Sequence, residues 1–138
     1  MSFPGRTQVG VLVVDDQAPF RRVALDVIEA TPGFEPVGEA SSGEEALGLV
    51  GEVNPELVIL DVRMPVMDGL ETARRLRASH PETVIVLISI DHAFELPRAI
   101  EFCGATTLIR KQDFGPVALR RVWAAHGKGD LRSAFMPR

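Results

Sequence analysis

Cysteine is almost absent from this chain of 138 residues, in which Cys103 is the only one. A single thiol cannot form an internal disulfide, so the chain is not a small secreted scaffold held together by disulfides. The apolar runs are far shorter than the roughly 20 residues that a membrane-spanning helix needs, and no signal peptide is evident. We therefore expect a cytoplasmic protein with no membrane-embedded part.

Positive charge is not in excess either. Fifteen Lys and Arg residues are set against nineteen Asp and Glu residues, which gives a formal net charge of -4 and a pI near 5.4. Binding to phosphate backbones or anionic lipid calls for clustered Lys and Arg. We expect no direct nucleic-acid or membrane partner, and a length that suits one domain with a real core.

A glycine-rich phosphate cradle is also missing. The turn at residues 15–19 reads Asp-Asp-Gln-Ala-Pro, which is neither a dinucleotide fingerprint nor a P-loop. No Ser-His-Asp or Cys-His arrangement is suggested. His80, His92 and His126 lack the spacing of zinc ligands. These absences disfavour a nucleotide binder and an independent metabolic enzyme.

Short apolar runs rich in β-branched residues alternate along the chain with patterns of helical period. Such runs are typical of strands buried on both faces of a parallel sheet, and right-handed crossovers then place helices on both faces. We predict an α/β fold, a flavodoxin-like doubly wound five-stranded parallel sheet in the order 2-1-3-4-5 with five helices. The predicted strands are residues 9–14, 35–39, 58–60, 84–88 and 106–109.

Several residues mark where helices begin and which face they bury. Ser42 followed by Glu45 is a capping-box pattern for the second helix, and Asp68 suits the cap of the third. The last helix is predicted at about residues 114–126. Five apolar residues share the predicted buried face of the first helix: Phe20, Val23, Ala24, Val27 and Ile28.

Polar residues follow the predicted strands. Asp15 and Asp16 come after the first strand, Asp61 after the third, Ser89 after the fourth and Lys111 after the fifth. Taken singly, such residues are typical of solvated turns and surface charges. However, the carboxyl ends of parallel strands meet along one rim, where ligands bind. Three carboxylates at one place repel one another unless a cation joins them, so the pattern predicts a metal site.

The same residues carry a resemblance to a known family. The aspartate pair after the first strand, Asp61 with its Met-Pro-x-Met-Asp-Gly tail, Ser89 and Lys111 match in order the motifs of the receiver domains of two-component response regulators. The likeness covers residues 9–126. Residues 37–46 further resemble receivers attached to helix-turn-helix transcription regulators. The resemblance implies a switch controlled by phosphorylation.

The resemblance also implies a reaction for Asp61. Its carboxylate would accept a phosphoryl group from a phosphohistidine on a sensor histidine kinase and form an acyl phosphate. Mg²⁺ would take oxygens from Asp16, Asp61 and the Arg63 backbone carbonyl, with Asp15 acting directly or through water. The protein would be a phosphoacceptor switch rather than an enzyme, and would at most assist its own phosphorylation and dephosphorylation.

Two further side chains have roles under this resemblance. The Lys111 ammonium would bind a phosphoryl oxygen, and the Ser89 hydroxyl would move toward the phosphoryl group and bias the switch. The signal would be read by a downstream protein effector, an attached output domain or a second copy of the chain in a homodimer.

Several positions depart from the usual receiver pattern. Ile90 stands where a small residue normally follows the switch Ser or Thr, and we expect it to slow phosphorylation by small donors. Leu108 occupies the usual aromatic switch position, and the chain has no Tyr. Pro97 falls inside the usual fourth helix, which is therefore expected to start late. Arg63 and Asp91 either pair across the pocket mouth or are both solvated.

The expected organisation is a flexible segment at residues 1–8, a receiver domain at residues 9–126 and a tail or linker at residues 127–138. The last segment is too short for a helix-turn-helix domain. The chain is then either a stand-alone receiver or the excised N-terminal receiver of a DNA-binding regulator. The departures from the pattern leave a further alternative, a receiver-like protein-binding module that does not depend on phosphorylation.

Overall fold

A parallel sheet of five strands forms the centre of the protein. Its computed structural model describes residues 7–90 and 96–127, without the side chains of residues 96, 97, 99 and 100. The strand order is 2-1-3-4-5, as predicted, and all neighbouring pairs are parallel. Each predicted strand is present. The strands are β1 (Val9–Val14), β2 (Phe34–Ala40), β3 (Leu57–Asp61), β4 (Val84–Ser89) and β5 (Thr107–Arg110).

Helices connect successive strands, and one more follows the last strand. The fourth helix begins at Leu96, so Pro97 lies in its first turn, where a missing backbone N–H is tolerated. Residues 91–95, which would show whether the helix starts late, lie outside the described residues, so the expected late start stays a prediction. The helices are α1 (Ala18–Ala30), α2 (Gly43–Val53), α3 (Gly69–Ser79), α4 (Leu96–Cys103) and α5 (Pro116–His126), with a 3-10 turn at Lys111–Asp113.

Side-chain caps begin α2 and α3. The Ser42 hydroxyl accepts a hydrogen bond from the Glu45 N–H at 3.1 Å, as the capping-box pattern predicts. In a complete capping box the Glu45 carboxylate would accept from the Ser42 N–H. Here it accepts instead from the Ser41 N–H at 2.7 Å. Asp68 caps α3 as predicted by accepting from the Glu71 N–H at 2.9 Å.

The sheet buries two apolar clusters, one on each face, because alternate strand residues point to opposite sides. One cluster packs beneath α2, α3 and α4, where Cys103 contributes its buried thiol. The other packs beneath α1 and α5 and includes the buried Trp123. The predicted face of α1 is too wide, since Ala24 and Ile28 are buried but Val23 is 53% exposed. Adjacent helical positions lie about 100° apart, so Val23 turns away from the stripe that Ala24 occupies.

The two outer strands of the sheet are irregular or short. In β2, Pro36 pairs with Val11 and Gly38 pairs with Leu12, so Val37 is an extra residue that forms a bulge. At the other edge, β5 has four residues. None of the helices in the described part of the chain is long and apolar enough to span a membrane.

Candidate functional site

Three aspartates meet at the carboxyl ends of β1 and β3. Asp15 is fully buried and Asp61 is 5% exposed, whereas Asp16 is partly exposed. One carboxylate oxygen from each residue can be chosen so that all three lie within 4.8 Å of one another. The Gln17 N–H donates to Asp15 Oδ1 at 2.7 Å, which fixes that carboxylate at the start of α1. The predicted acidic cluster is therefore present in the structure.

The buried position of Asp61 changes its acidity. Burial first, and the Asp15 carboxylate second, raise the pKa of Asp61 from 3.8 to about 6. The Lys111 ammonium and the Arg63 N–H act in the opposite direction, and that N–H lies 3.4 Å from Asp61 Oδ1. Asp61 is thus largely ionised at neutral pH, although its buried position and the neighbouring Asp15 carboxylate disfavour the negative charge.

Lys111 supplies positive charge to the cluster from the end of β5. Its Nζ lies 2.6 Å from Asp15 Oδ2 and 3.7 Å from Asp61 Oδ2. The same Nζ lies 4.6 Å from the centroid of the Phe20 ring. In this structure Lys111 is therefore paired more closely with Asp15 than with Asp61.

Ser89 closes the rim at the end of β4, where it is 3% exposed. It pairs with Arg110 in β5, the residue before Lys111. On its other side, the Val62 N–H donates to the Ile88 carbonyl at 3.0 Å, which extends the pairing of β3 and β4 past Asp61. The four strand ends thus place five of the six predicted site residues along one rim, and the sixth, Arg63, lies two residues after Asp61. Their individual roles stay predictions.

Close packing holds the backbone of Asp61. A Cβ atom at Gly69 would overlap the Asp61 carbonyl oxygen, so only glycine fits there without movement. The Gly69 N–H donates to the Val62 carbonyl at 2.8 Å. Between Asp61 and Gly69, Val66 adopts φ 69°, an unfavourable conformation for a β-branched residue, and its side chain is 97% exposed. The loop is thus tightly anchored at its ends and strained at its tip.

Ile90 and Leu108 depart from the usual receiver pattern, and the burial of both side chains is described. Ile90 is 69% exposed, and its expected effect on phosphorylation by small donors stays a prediction. Leu108 packs in part against the cluster beneath α2, α3 and α4. Asp91 lies outside the described residues, and the expected pairing with Arg63 stays untested.

Sequence reasoning missed three side chains that support the rim. Arg21 of α1 donates to the Asp15 carbonyl at 2.7 Å and to Glu39 Oε1 at 2.8 Å, so it ties β1 to the end of β2. Phe20 and Phe114 form a tilted ring pair with centroids 6.2 Å apart, next to Lys111. Phe20 was expected only as a core residue of the first helix. No local pattern signals a contact between residues so distant in the chain.

The cluster suits a hard divalent cation. Its ligands are carboxylate oxygens, which Mg²⁺ and Ca²⁺ prefer. Within the described part of the chain, Asp15 Oδ2 receives no hydrogen bond of good geometry, and its close neighbour is the Lys111 ammonium. Three carboxylates beside one ammonium leave negative charge that a cation would offset. The residues present therefore fit a bound Mg²⁺.

Comparison with known proteins agrees with this geometry. Residues 11–121 match the family described as response regulator receiver domain. A protein-glutamate methylesterase/protein-glutamine glutaminase of Halalkalibacterium halodurans is 40% identical over 115 residues, which cover 82% of this chain and 33% of that protein. The similarly named protein of Moorella thermoacetica is 49% identical over 109 residues, which cover 79% of this chain and 23% of that protein.

A solved structure leads to the same family. The signal receiver domain of NarL from Mycobacterium tuberculosis has a TM-score of 0.80 and 29% identity, and the match covers 91% of this chain and 100% of that chain. The chain spans about a third or less of the length of the curated relatives named above. With the fold and the acidic rim in place, these matches show that the chain belongs to the receiver domains of two-component response regulators.

Proposed function

We propose that Asp61 is the phosphoacceptor and that its donor is a phosphohistidine on a sensor histidine kinase. The observation that carries this proposal is the group of three carboxylates within 4.8 Å of one another, beside the Lys111 ammonium. With its pKa at about 6, Asp61 is largely ionised at pH 7. The ionised carboxylate is the nucleophilic form.

The transfer balances once one proton from the solvent is counted. An oxygen of Asp61 attacks phosphorus while the P–N bond of the donor breaks, and the imidazole keeps the electron pair and takes up a proton. Lys111 Nζ already lies 3.7 Å from Asp61 Oδ2, so its ammonium can reach an oxygen of the incoming phosphoryl group. The product is an aspartyl phosphate.

Asp16, Asp61 and the Arg63 backbone carbonyl are the proposed protein ligands of Mg²⁺, with Asp15 as a direct or water-mediated ligand. When bound, the cation offsets the negative charge that gathers on the carboxylates and the phosphoryl group. Asp15 would then have to exchange its contact with Lys111, now at 2.6 Å, for the cation or its water. This exchange frees the ammonium for the phosphoryl group.

The proposed output is a change between two conformations. The buried Ser89 hydroxyl would move toward the phosphoryl group, and phosphorylation shifts the equilibrium only by stabilising one conformation more than the other. Leu108 offers no aromatic ring for the usual coupled movement, so the change must be transmitted by other contacts. The reader would be a downstream protein, an attached output domain or a second copy in a homodimer.

We propose a receiver unit at residues 9–126, with residues 1–8 and 127–138 as flanking segments. Since the matched relatives are longer and are methylesterases by name, the unit is proposed to work either alone or as the receiver part of a longer regulator. By itself it would be a phosphoacceptor switch and not an enzyme, beyond assisting its own phosphorylation and dephosphorylation. A cytoplasmic location stays a prediction.

The test is intact mass spectrometry after incubation with acetyl phosphate or phosphoramidate and Mg²⁺. We expect a gain of about 80 Da, the mass of one phosphoryl group. The gain should be lost in the Asp61→Asn variant and in a chelator control. A gain that persists in Asp61→Asn would place the phosphoryl group elsewhere and contradict the assignment.

A second candidate is a protein-binding module that does not need phosphorylation. It is favoured by Leu108, whose packing leaves no aromatic switch at that position. The Asp61→Asn variant distinguishes the two candidates, because it would prevent a phosphoacceptor from changing its partner binding but would leave binding by this module unchanged. Equal binding of a partner by wild type, phosphorylated wild type and Asp61→Asn would favour the module.

A further inference from the structure

Lys111 is held from two sides. Its Nζ lies 2.6 Å from the Asp15 carboxylate and 4.6 Å from the centroid of the Phe20 ring, and its side chain is only 12% exposed. The negative face of an aromatic ring attracts an ammonium, and the attraction grows when water is excluded. Phe20 therefore contributes to the position of the ammonium that the proposed function uses.

The Phe20 ring is itself supported by the segment that carries Lys111. Phe20 and Phe114 have centroids 6.2 Å apart with their planes at 54°, a tilted arrangement that aromatic pairs favour. The Phe114 N–H donates to the Lys111 carbonyl at 3.2 Å and closes the 3-10 turn. The contacts thus run from Lys111 to Phe20, from Phe20 to Phe114, and back to Lys111.

We propose that Phe20 is a positioning residue for Lys111. The ring provides a second contact that the ammonium keeps while it exchanges the Asp15 carboxylate for the phosphoryl group on Asp61. An ion pair is tied to one oxygen, whereas a ring face accepts an ammonium over a broad area. The nearby Asp61 Oδ2, 3.7 Å from Nζ, shows that only a short displacement is needed. This inference rests on the proposed function.

The competing explanation is that Phe20 only fills space, since it also packs partly against the cluster beneath α1 and α5. Two variants separate these explanations. Phe20→Leu keeps an apolar side chain but removes the ring face, whereas Phe20→Tyr keeps the ring. Val23→Ala, at an exposed position of the same helix, is the matched control for a general disturbance of α1.

The experiment compares initial rates of labelling by acetyl phosphate at saturating Mg²⁺. We expect Phe20→Leu to react about five- to tenfold more slowly than wild type, because without the ring face the ammonium is held less often where it meets the phosphoryl group. Phe20→Tyr and Val23→Ala should react at close to the wild-type rate. A wild-type rate for Phe20→Leu, or an equal loss in Phe20→Tyr and Phe20→Leu, would overturn the inference.

A second measurement does not depend on phosphorylation. In proton NMR spectra of the metal-free protein, the ring current of Phe20 should move the Lys111 Cε protons upfield, and Phe20→Leu should abolish this shift. An unshifted wild-type signal would also overturn the inference. Failure of wild type to be labelled would instead contradict the proposed function, while the NMR result would still report on the contact.

Discussion

Charged side chains lie at both ends of the sheet, partly buried at one end and buried at the other, and their surroundings differ. At the amino end, the Arg77 guanidinium of α3 donates to the Gly104 carbonyl at 2.9 Å, to the Pro81 carbonyl at 2.8 Å and to the Thr106 hydroxyl at 3.3 Å. At the carboxyl end, Asp61 lies beside a second buried carboxylate, and burial works against its charge. At the amino end, one positive charge donates to several oxygen acceptors. At the carboxyl end, three carboxylates lie close together beside one ammonium.

The difference shows which end of the sheet lowers the stability of the folded protein. The partly buried Arg77 guanidinium, with oxygen acceptors on several sides, joins α3 to the loops before β4 and β5 and stabilises the fold. A buried cluster of carboxylates destabilises the protein on its own and becomes favourable only with a cation or with a proton. Such a cluster is the expected property of a functional site, because function and stability make opposite demands there.

The largest expected effect tests how closely the backbone is packed at the carboxyl end of the sheet. Gly69→Ala places a Cβ against the Asp61 carbonyl, so we expect a loss of about 3 kcal/mol in the free energy of unfolding, as measured by urea denaturation. Gly48→Ala is the matched control, since nothing lies within 4 Å of a Cβ there; it should stabilise α2 by about 0.5 to 1 kcal/mol. Equal stability of the two variants would contradict this view of the rim.

The next effect tests the amino end. Arg77→Met removes the donor from the partly buried Gly104 carbonyl and from the exposed Pro81 carbonyl, and we expect a loss of about 2 kcal/mol with no change in phosphoryl labelling. Arg75→Met is the control, because Arg75 is half exposed and pairs with Glu71 on the surface. That change should cost less than about 0.5 kcal/mol. A reduced labelling rate in Arg77→Met at equal protein stability would show that the two ends are coupled.

The third effect has the opposite sign. Asp61→Asn removes an unfavourable charge, so at pH 7 without metal we expect it to stabilise the protein by about 1 to 2 kcal/mol, after allowance for solvent screening. The folded pKa of about 6 exceeds the ordinary 3.8. Folded wild type therefore binds the proton more tightly, and its stability falls as pH rises from about 4 to about 6.

The measurement for Asp61→Asn is the melting temperature of both proteins across this pH window in a chelator. The advantage of Asp61→Asn should grow with pH and level off above the folded pKa. Added Mg²⁺ should raise the melting temperature of wild type more than that of the variant. An advantage that does not change with pH would mean that the charge of Asp61 is not its cause.

The smallest effect concerns the strained tip of the β3–α3 loop. Val66 has a positive φ and no packing to offset it, so Val66→Asn should stabilise the protein by about 0.5 to 1 kcal/mol. Val117→Asn is the control, because Val117 is also exposed but lies in the regular backbone of α5. Only the change at Val66 should give a gain, as measured by denaturant unfolding.

Much of the fold could be predicted because β1, β3 and β4 are buried along their whole length, which makes each a continuous apolar run in the sequence. The outer strands β2 and β5 are only partly buried, and their apolar patterns are weaker. The rim could also be predicted, since the polar residue that ends each run marks the carboxyl end of a strand. The exposure of Val23 could not be predicted from the sequence, because periodicity identifies the direction of a helix face but not its width.

The contacts around Lys111 and Arg77 could not be predicted from the sequence either. Phe20 meets Lys111 only because α1 and the turn after β5 pack side by side, and Arg77 meets Gly104 only because α3 ends beside the loop after α4. Both contacts join residues far apart in the chain. They follow from the docking of helices on the sheet, which local propensity does not encode.

The bulge in β2 has a consequence for assembly. Pro36 brings no N–H to the ladder, and the extra residue beside it bends an outer strand, while the opposite outer strand has only four residues. Neither border is a good template for a neighbouring chain. Growth of the sheet by strand addition, the route to fibrils, is therefore hindered at both borders. Helix surfaces, rather than the borders of the sheet, are therefore the better place for a contact between two copies of this protein.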